Sequence, residues 1–341
     1  MKSLFVPPPV YMATSNIQPR KIGDYNVLAK LGEGAASILY AVQHRKTKQV
    51  SALKHVEKTD EKSQRFLDQV IQEYKIGLKL DHPSIRKVRK LVKHRKMLRI
   101  TALSMIMEHI DATTLNQQMP KNHVQAVDIF LQVAKGLSHM HERGYVHADI
   151  KPNNILVDDG RDVKIIDLGQ ACETGTVKKR IQGTPGYMAP EQANRGVITP
   201  RTDIYNLGAM MYFILLGELI PTAMPPKNKS DRLVNSAIEA ENVKLPAPPH
   251  ERNKRIHTLL SKQIMDCVYP NPDDRTETMS VVVNRLELIR DVLEEPISSP
   301  PPTTPGGTTT FDGNLEPASA NIDSPNEDTS ITFEDDSADE D

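Results

Sequence analysis

Asp149, Lys151 and Asn154 stand close together in the run His147-Ala148-Asp149-Ile150-Lys151-Pro152-Asn153-Asn154-Ile155-Leu156, and a further carboxylate follows in Lys164-Ile165-Ile166-Asp167-Leu168-Gly169. Carboxylates recruit hard cations and lysines steady phosphates, so this set suits chemistry on a charged phosphate. Upstream, Leu31-Gly32-Glu33-Gly34-Ala35-Ala36-Ser37 separates two β-prone runs, and its glycines let backbone amides approach phosphate oxygens. Ser51-Ala52-Leu53-Lys54 then places a lysine inside an apolar run, where a charge needs a partner, and Glu73 follows on a helical stripe. Taken singly, each has a plain structural reading. A glycine-bearing hairpin is a turn, a strand lysine and a helix glutamate face water, and a loop aspartate caps a turn.

The elements that must position these groups are legible from periodicity. Short β-prone runs at residues 25–30, 38–43 and 50–56, separated by Gly-rich or charged turns, predict an antiparallel meander. Phe66, Leu67, Val70, Ile71, Tyr74 and Leu78 form a helical stripe over residues 66–80, ended by Asp81-His82-Pro83. Strands are expected around 88–92 and 100–107, and the polar stretch 111–118 links two lobes. Beyond it helices dominate, at 124–143, 202–216, 255–268 and 279–293. The expected class is α+β, with a small antiparallel β lobe carrying one main helix (about 22–108) and a larger helical lobe (about 109–295).

Composition narrows the setting. Cys172 and Cys267 are too few and too isolated for a disulfide framework or a zinc ribbon, which points to a reducing compartment and a cytoplasmic protein. Pro7, Pro8 and Pro9 interrupt the N-terminus before a signal-type apolar region forms, and the apolar stretch 207–217 falls short of the roughly 20 residues a spanning helix needs. Neither a signal peptide nor a membrane association is expected. Residues 1–21 read as a flexible arm, and 296–341, rich in Pro, Ser, Thr, Gly and acids, as a disordered tail. The net charge of −1 hides an asymmetry: residues 1–290 hold all 43 Lys and Arg against 30 Asp and Glu, and 291–341 carry −14. The basic run Arg86, Lys87, Arg89, Lys90, Lys93, Arg95, Lys96 and Arg99 reads as a solvated strand-loop face; without an aromatic platform it does not predict nucleic acid as a partner. An alternative is that the acidic tail docks there.

The motifs together resemble the eukaryotic-type (Hanks-type) serine/threonine protein kinase family over about residues 22–290. The register continues through Gly183-Thr184-Pro185-Gly186-Tyr187-Met188-Ala189-Pro190-Glu191, which resembles the end of a kinase activation segment and a protein-substrate platform, to Asp203 and Arg275. The resemblance implies a bilobal kinase fold with ATP in the cleft and Mg2+, or Mn2+, as the metal. It implies Asp149 as the base for the acceptor hydroxyl, Asn154 and Asp167 as metal ligands, and Lys54 on the ATP phosphates. Nucleotide contacts are implied for Leu31, Gly32, Gly34, Ser37, Leu39, Ala52, Lys54, Glu73, Glu108, Ile110 and Leu156. Met107-Glu108-His109-Ile110 matches the hinge, whose backbone would pair with adenine. Lys151 would reach the γ-phosphate, Thr184 would orient Asp149, Asp203 would brace the catalytic loop, and Arg275 would pair with Glu191. Lys151 and Gly183-Thr184-Pro185 resemble the serine/threonine branch. Substrates would be protein Ser or Thr hydroxyls, with autophosphorylation included; Ser324, Thr329, Ser330, Thr332 and Ser337 are tail candidates. The alternative is a pseudokinase scaffold, and the joint presence of Lys54, Glu73, Asp149, Asn154 and Asp167 separates the two.

Four positions depart from the family pattern. Ala148 stands where many members carry an arginine that pairs with a phosphorylated activation loop, so basal activity is expected without that phosphate. Ser37 replaces the last glycine of the loop, and Leu168 replaces an aromatic residue. Gly77, one turn after Glu73, weakens its helix by roughly 1 kcal/mol and removes packing, so the position of Glu73 is expected to depend on a partner or a dimer.

Overall fold

The computed structural model describes residues 19–34, 36–60, 63–221 and 244–294. Most of the expected N-terminal arm, and the acidic tail, lie outside them.

The small lobe opens with β1 (Lys21–Ile22), β2 (Tyr25–Gly34), β3 (Ser37–His44) and β4 (Val50–Glu57). Helix α1 (Gln64–Gly77), β5 (Val88–Lys96) and β6 (Arg99–Met107) complete it. The strands form one antiparallel sheet in the order β1-β2-β3-β4-β6-β5. Alternation along β4 splits the sheet into two faces. Ala52 and Val56 join Leu67 and Val70 of α1, with Leu103, Met105 and Met107, in one apolar cluster. Leu53 turns to the other face, among Ile22, Tyr40, Val42 and Ile106. Lys54 falls on the α1 face by the same alternation, and its register partner on β6 is Met105. The buried residues of α1 are Leu67, Val70, Glu73, Ile76 and Gly77, so one carboxylate is carried inward on the apolar stripe.

The large lobe holds β7 (Thr113–Thr114), α2 (His123–Glu142), β8 (Tyr145–Val146), β9 (Ile155–Val157) and β10 (Val163–Ile165). It continues through β11 (Cys172–Glu173), β12 (Thr176–Val177), α3 (Pro190–Ala193), β13 (Val197–Ile198) and α4 (Pro200–Leu216). Helices α5 (Pro249–Arg252), α6 (Thr258–Cys267) and α7 (Met279–Glu294) close it. Asn122 caps α2, its side chain accepting from the Gln125 N–H, and Gly217 ends α4 with φ of 69°, the left-handed geometry glycine tolerates. Helix α4 is buried along nearly its whole length and packs with α2, α6 and α7 in the main core. Antiparallel β7-β9-β10 forms a floor beneath the cleft, and the pairs β8·β11 and β12·β13 tie the segment after Asp167 to the large lobe. No helix of the described residues is long and apolar enough to cross a membrane.

Two expectations are corrected. A Cβ on Gly77 would sit 2.4 Å from Val88 Cγ2 and 3.6 Å from Leu168 Cδ1, so glycine is what lets α1 press onto β5 rather than a loss of packing. Arg86 is no part of a solvated face: it is 9 % exposed, its backbone N–H bonds the Ile165 carbonyl, and its Nε meets no acceptor among the described residues.

Candidate active site

Lys54 Nζ donates to Glu73 Oε2 at 2.8 Å and to Asp167 Oδ1 at 3.2 Å, joining sheet, helix and the β10 loop through one amine. Burial alone would lower that amine, but the charges of Asp167 and Glu73 outweigh it and raise the pKa above the ordinary value. Burial pushes the Glu73 carboxyl up, against the opposing charge of Lys54. The Lys54 charge, working against burial, holds Asp167 down at about 2. Asp167 itself is left-handed, with φ of 60° and ψ of 79°, and its Oδ1 accepts the Gly169 N–H at 3.3 Å. That turn leaves the Asp167 side chain 49 % exposed while Lys54 is 18 % exposed. Gln69 of α1 donates to the Gly169 carbonyl at 3.0 Å, so the helix that carries Glu73 also holds the loop that carries Asp167.

The loop after β8 is built around Asp203 of α4, which is fully buried. Its carboxylate accepts the His147 and Ala148 backbone N–H groups, each at 2.8 Å, and is paired with His141 Nε2 at 2.8 Å. Burial would raise its pKa, yet these hydrogen bonds and the His141 and His147 rings hold it below the usual carboxylate range. Ala148 takes φ of 60°, a strained value for a residue with a side chain, and this brace holds it there. Asp149, next in the chain, is buried at 6 % exposure. Thr184 donates to its Oδ1 at 2.8 Å, Lys151 lies 3.3 Å from its Oδ2, and Lys151 Nζ donates to Thr184 Oγ1 at 2.7 Å. Asn154 Nδ2 donates to the Asp149 carbonyl at 2.8 Å and to its Oδ2 at 3.2 Å. The Asn154 side-chain oxygen is thereby turned away from Asp149.

Besides Lys54 on β4 and Glu73 on α1, the implied nucleotide contacts come from five segments. Leu31, Gly32 and Gly34 lie on β2, Ser37 and Leu39 on β3, Ala52 on β4, Leu156 on β9, and Glu108 and Ile110 on the link from β6 to β7. Leu39 is the register partner of Lys54, and Ala52 of Met107. A Cβ on Gly32 would meet nothing within 4 Å, so that backbone is open to a ligand. Leu31 is 42 % exposed, whereas Ala52 and Leu156 are buried. Glu108 donates its N–H to the Lys87 carbonyl at 2.8 Å, and its carboxylate accepts from Lys164 Nζ at 3.1 Å.

Further contacts support the site, and of these only the Arg275–Glu191 pair is expected from the sequence. Gln192 of α3 donates to the Ala148 carbonyl at 2.8 Å, and its Oε1 accepts from the Ala189 N–H and from Asn206 Nδ2, each at 2.9 Å. One amide thus clips the activation segment to the catalytic loop. Arg275 and Glu191, expected to pair, meet through two contacts of 2.8 Å, with the Arg275 side chain fully buried. The Glu108–Lys164 pair and the buried Arg86 behind the cleft are likewise products of tertiary contact.

Comparison with known proteins agrees with this architecture. Residues 25–286 match the protein kinase domain family. An Aurora kinase of Candida glabrata is 30% identical over 277 residues, covering 80% of this chain and 67% of that protein. The serine/threonine-protein kinase PknB of Mycobacterium tuberculosis is 28% identical over 233 residues, 65% of this chain and 35% of that protein. PknB of Mycobacterium leprae is 30% identical over 204 residues, 57% of this chain and 31% of that protein. The matches thus span only about a third of these bacterial relatives. With residues 25–286, which take in the β lobe and most of the helical lobe, matched by this family, the chain belongs to the protein kinase domain family.

Proposed function

We propose that the chain transfers the γ-phosphoryl group of ATP to serine and threonine hydroxyls of proteins, its own included, with residues 22–295 as the catalytic unit. The observation that carries this reading is the Asp149–Thr184–Lys151 triangle, which holds one buried carboxylate in place with a lysine beside it. Asp149 would accept the proton of the acceptor hydroxyl, and Lys151 would steady the transferred group. Lys54, held by Glu73, would hold the nucleotide phosphates, and the Glu108 carbonyl and Ile110 backbone the adenine.

The donor set suits Mg2+ or Mn2+. Asp167 offers a half-exposed carboxylate that remains ionised at neutral pH, and Asn154 an amide oxygen with no hydrogen bond among the described residues, both hard ligands of the kind that share such an ion with phosphates. Bound there, the metal would neutralise phosphate charge. The presence of all five charged or metal-binding groups, with the Lys54–Glu73 pair formed, speaks against the scaffold reading.

Ala148 supports activity without a loop phosphate. It is sealed in an apolar cluster with Val146, Cys172 and Ile198, while β8·β11 and β12·β13 pairing holds the segment that a phosphate would otherwise order. The test is incubation with Mg2+ and labelled ATP, compared with Asp149→Asn and Asp167→Asn. Label in the parent protein that both substitutions remove is expected. An unlabelled parent, with a generic acceptor present, would sink the proposal.

A further inference from the structure

The hairpin of β5 and β6 is the outermost part of the sheet, with β5 an unpaired edge. Its turn is Met97-Leu98, between the paired Lys96 and Arg99, and these two side chains are 94% and 96% exposed. A two-residue hairpin turn favours Asn, Asp or Gly, yet here an apolar side chain takes φ of 55° at Met97. Local turn chemistry is thus overridden to present two apolar groups to water, the kind of conflict found at functional surfaces. Arg89, Lys90, Lys93, Arg95, Lys96 and Arg99, spread from the base of β5 to the turn, are exposed, and none forms an ion pair among the described residues. Lysines on an edge strand deter pairing between molecules. They do not account for the apolar tip.

We propose that the acidic C-terminal segment, residues 323–341, docks on this hairpin, its carboxylates against the six cations and Ile331 and Phe333 over Met97 and Leu98. The charge balance favours this occupant: the segment holds nine Asp and Glu and no Lys or Arg. Its Ile331-Thr332-Phe333 run is β-prone, alternates apolar and polar, and leads directly into Glu334-Asp335-Asp336, matching an apolar tip that continues into a cationic, open strand edge. Reach is ample. The 28 residues between Glu294, where α7 ends, and Asp323 span up to about 90 Å, against a radius of gyration of about 18 Å for a domain of this size. Tethering places the segment at a local concentration on the order of 1 mM, so an intrinsic dissociation constant of about 0.1 mM keeps it docked about ten times out of eleven.

The test uses the full chain and a full-length variant carrying Glu334→Lys, Asp335→Lys and Asp336→Lys, all outside the folded core. Hydrogen exchange at the hairpin amides should be about tenfold slower in the parent than in the variant, with the difference shrinking as ionic strength rises to about 0.5 M. Carbodiimide should join tail carboxylates to Lys93 or Lys96 in the parent. Ile331→Ser with Phe333→Ser should speed hairpin exchange with the charges unchanged. Equal exchange in parent and variant, without tail-to-hairpin cross-links, overturns the proposal. So do cross-links that form only between isotopically light and heavy copies, which would make a second molecule the occupant. Hairpin protection seen only with phosphatidylserine vesicles, and unaffected by the tail substitutions, would make a lipid surface the occupant and equally overturn it.

Discussion

Glu73→Gln isolates the ion pair that ties helix α1 to the Lys54 strand within the small lobe. The substitution keeps volume and hydrogen-bonding capacity but removes the charge that Lys54 meets at 2.8 Å, in a site where Glu73 is 3 % and Lys54 18 % exposed. A hydrogen bond to a charged group in such surroundings contributes about 1.5–3 kcal/mol. Lys54 keeps its 3.2 Å contact with Asp167, so without Glu73 the amine is drawn toward that carboxylate and away from the nucleotide. If Lys54 acts on the phosphates in the transition state, kcat/KM falls by about 10- to 150-fold. Steady-state phosphorylation of a generic acceptor measures this. The same assay run over a wide dilution series addresses what holds α1 inward: with Gly77 seated against Val88 within one chain, specific activity should be independent of protein concentration. A Glu73→Gln protein within about threefold of the parent would refute the role of the pair. Activity that climbs with concentration would refute the claim that the monomer positions Glu73.

Four further outcomes are expected. Arg275→Met leaves Glu191 without its buried partner and strips hydrogen bonds from the Tyr269, Pro270 and Arg201 carbonyls, so urea unfolding should reveal a loss of about 3–5 kcal/mol; a loss below about 1 kcal/mol contradicts the assignment. Gly77→Ala should destabilise by about 1–3 kcal/mol despite the better helix former, because the new methyl overlaps Val88, and Val88→Ala in the same chain should recover most of it. Phosphatase treatment should leave activity standing, since Ala148 provides no cation for a loop phosphate; complete loss on treatment would overturn that reading. Burial pushes the Cys267 thiol from 9.0 up to about 12. Between those values the unfolded chain has released a proton the folded chain retains, so stability should fall as pH rises above about 9, with a shallower fall in Cys267→Ala. Denaturant midpoints at pH 8 and pH 10 measure it.

Much of the fold was legible because its periods are simple. Strands 50–56 and 100–107 and helices 124–143 and 279–293 appear within a residue or two of their expected bounds, each being an apolar pattern closed by a turn or cap. The helix expected over 66–80 ends at Gly77, and that expected over 255–268 begins at Thr258, where the His257 side chain accepts from the Leu259 N–H. Boundaries of this kind are set by caps and packing, which periodicity does not encode. Gly77 and Arg86 were misread for a related reason. A glycine in a helix reads as weakness and an arginine in a basic run reads as solvated, until the neighbouring element is known.

The sequence by itself determined which groups exist and in what order: Lys54, Glu73, Asp149, Lys151, Asn154 and Asp167, the glycines before them, and the alanine at 148. Residue type and spacing along the chain carry that information because the chemistry of a carboxylate or an amine is local. Only the tertiary structure decided that Lys54 is shared between Glu73 and Asp167, that Thr184 and Lys151 close on Asp149 from 35 and 2 residues away, and that Gln192 fastens the activation segment to the catalytic loop. Apart from Lys151, two residues from Asp149, those are contacts between elements distant in sequence. They form because burying apolar faces of sheet and helices brings the groups together, and because a polar group carried into that interior must find a partner.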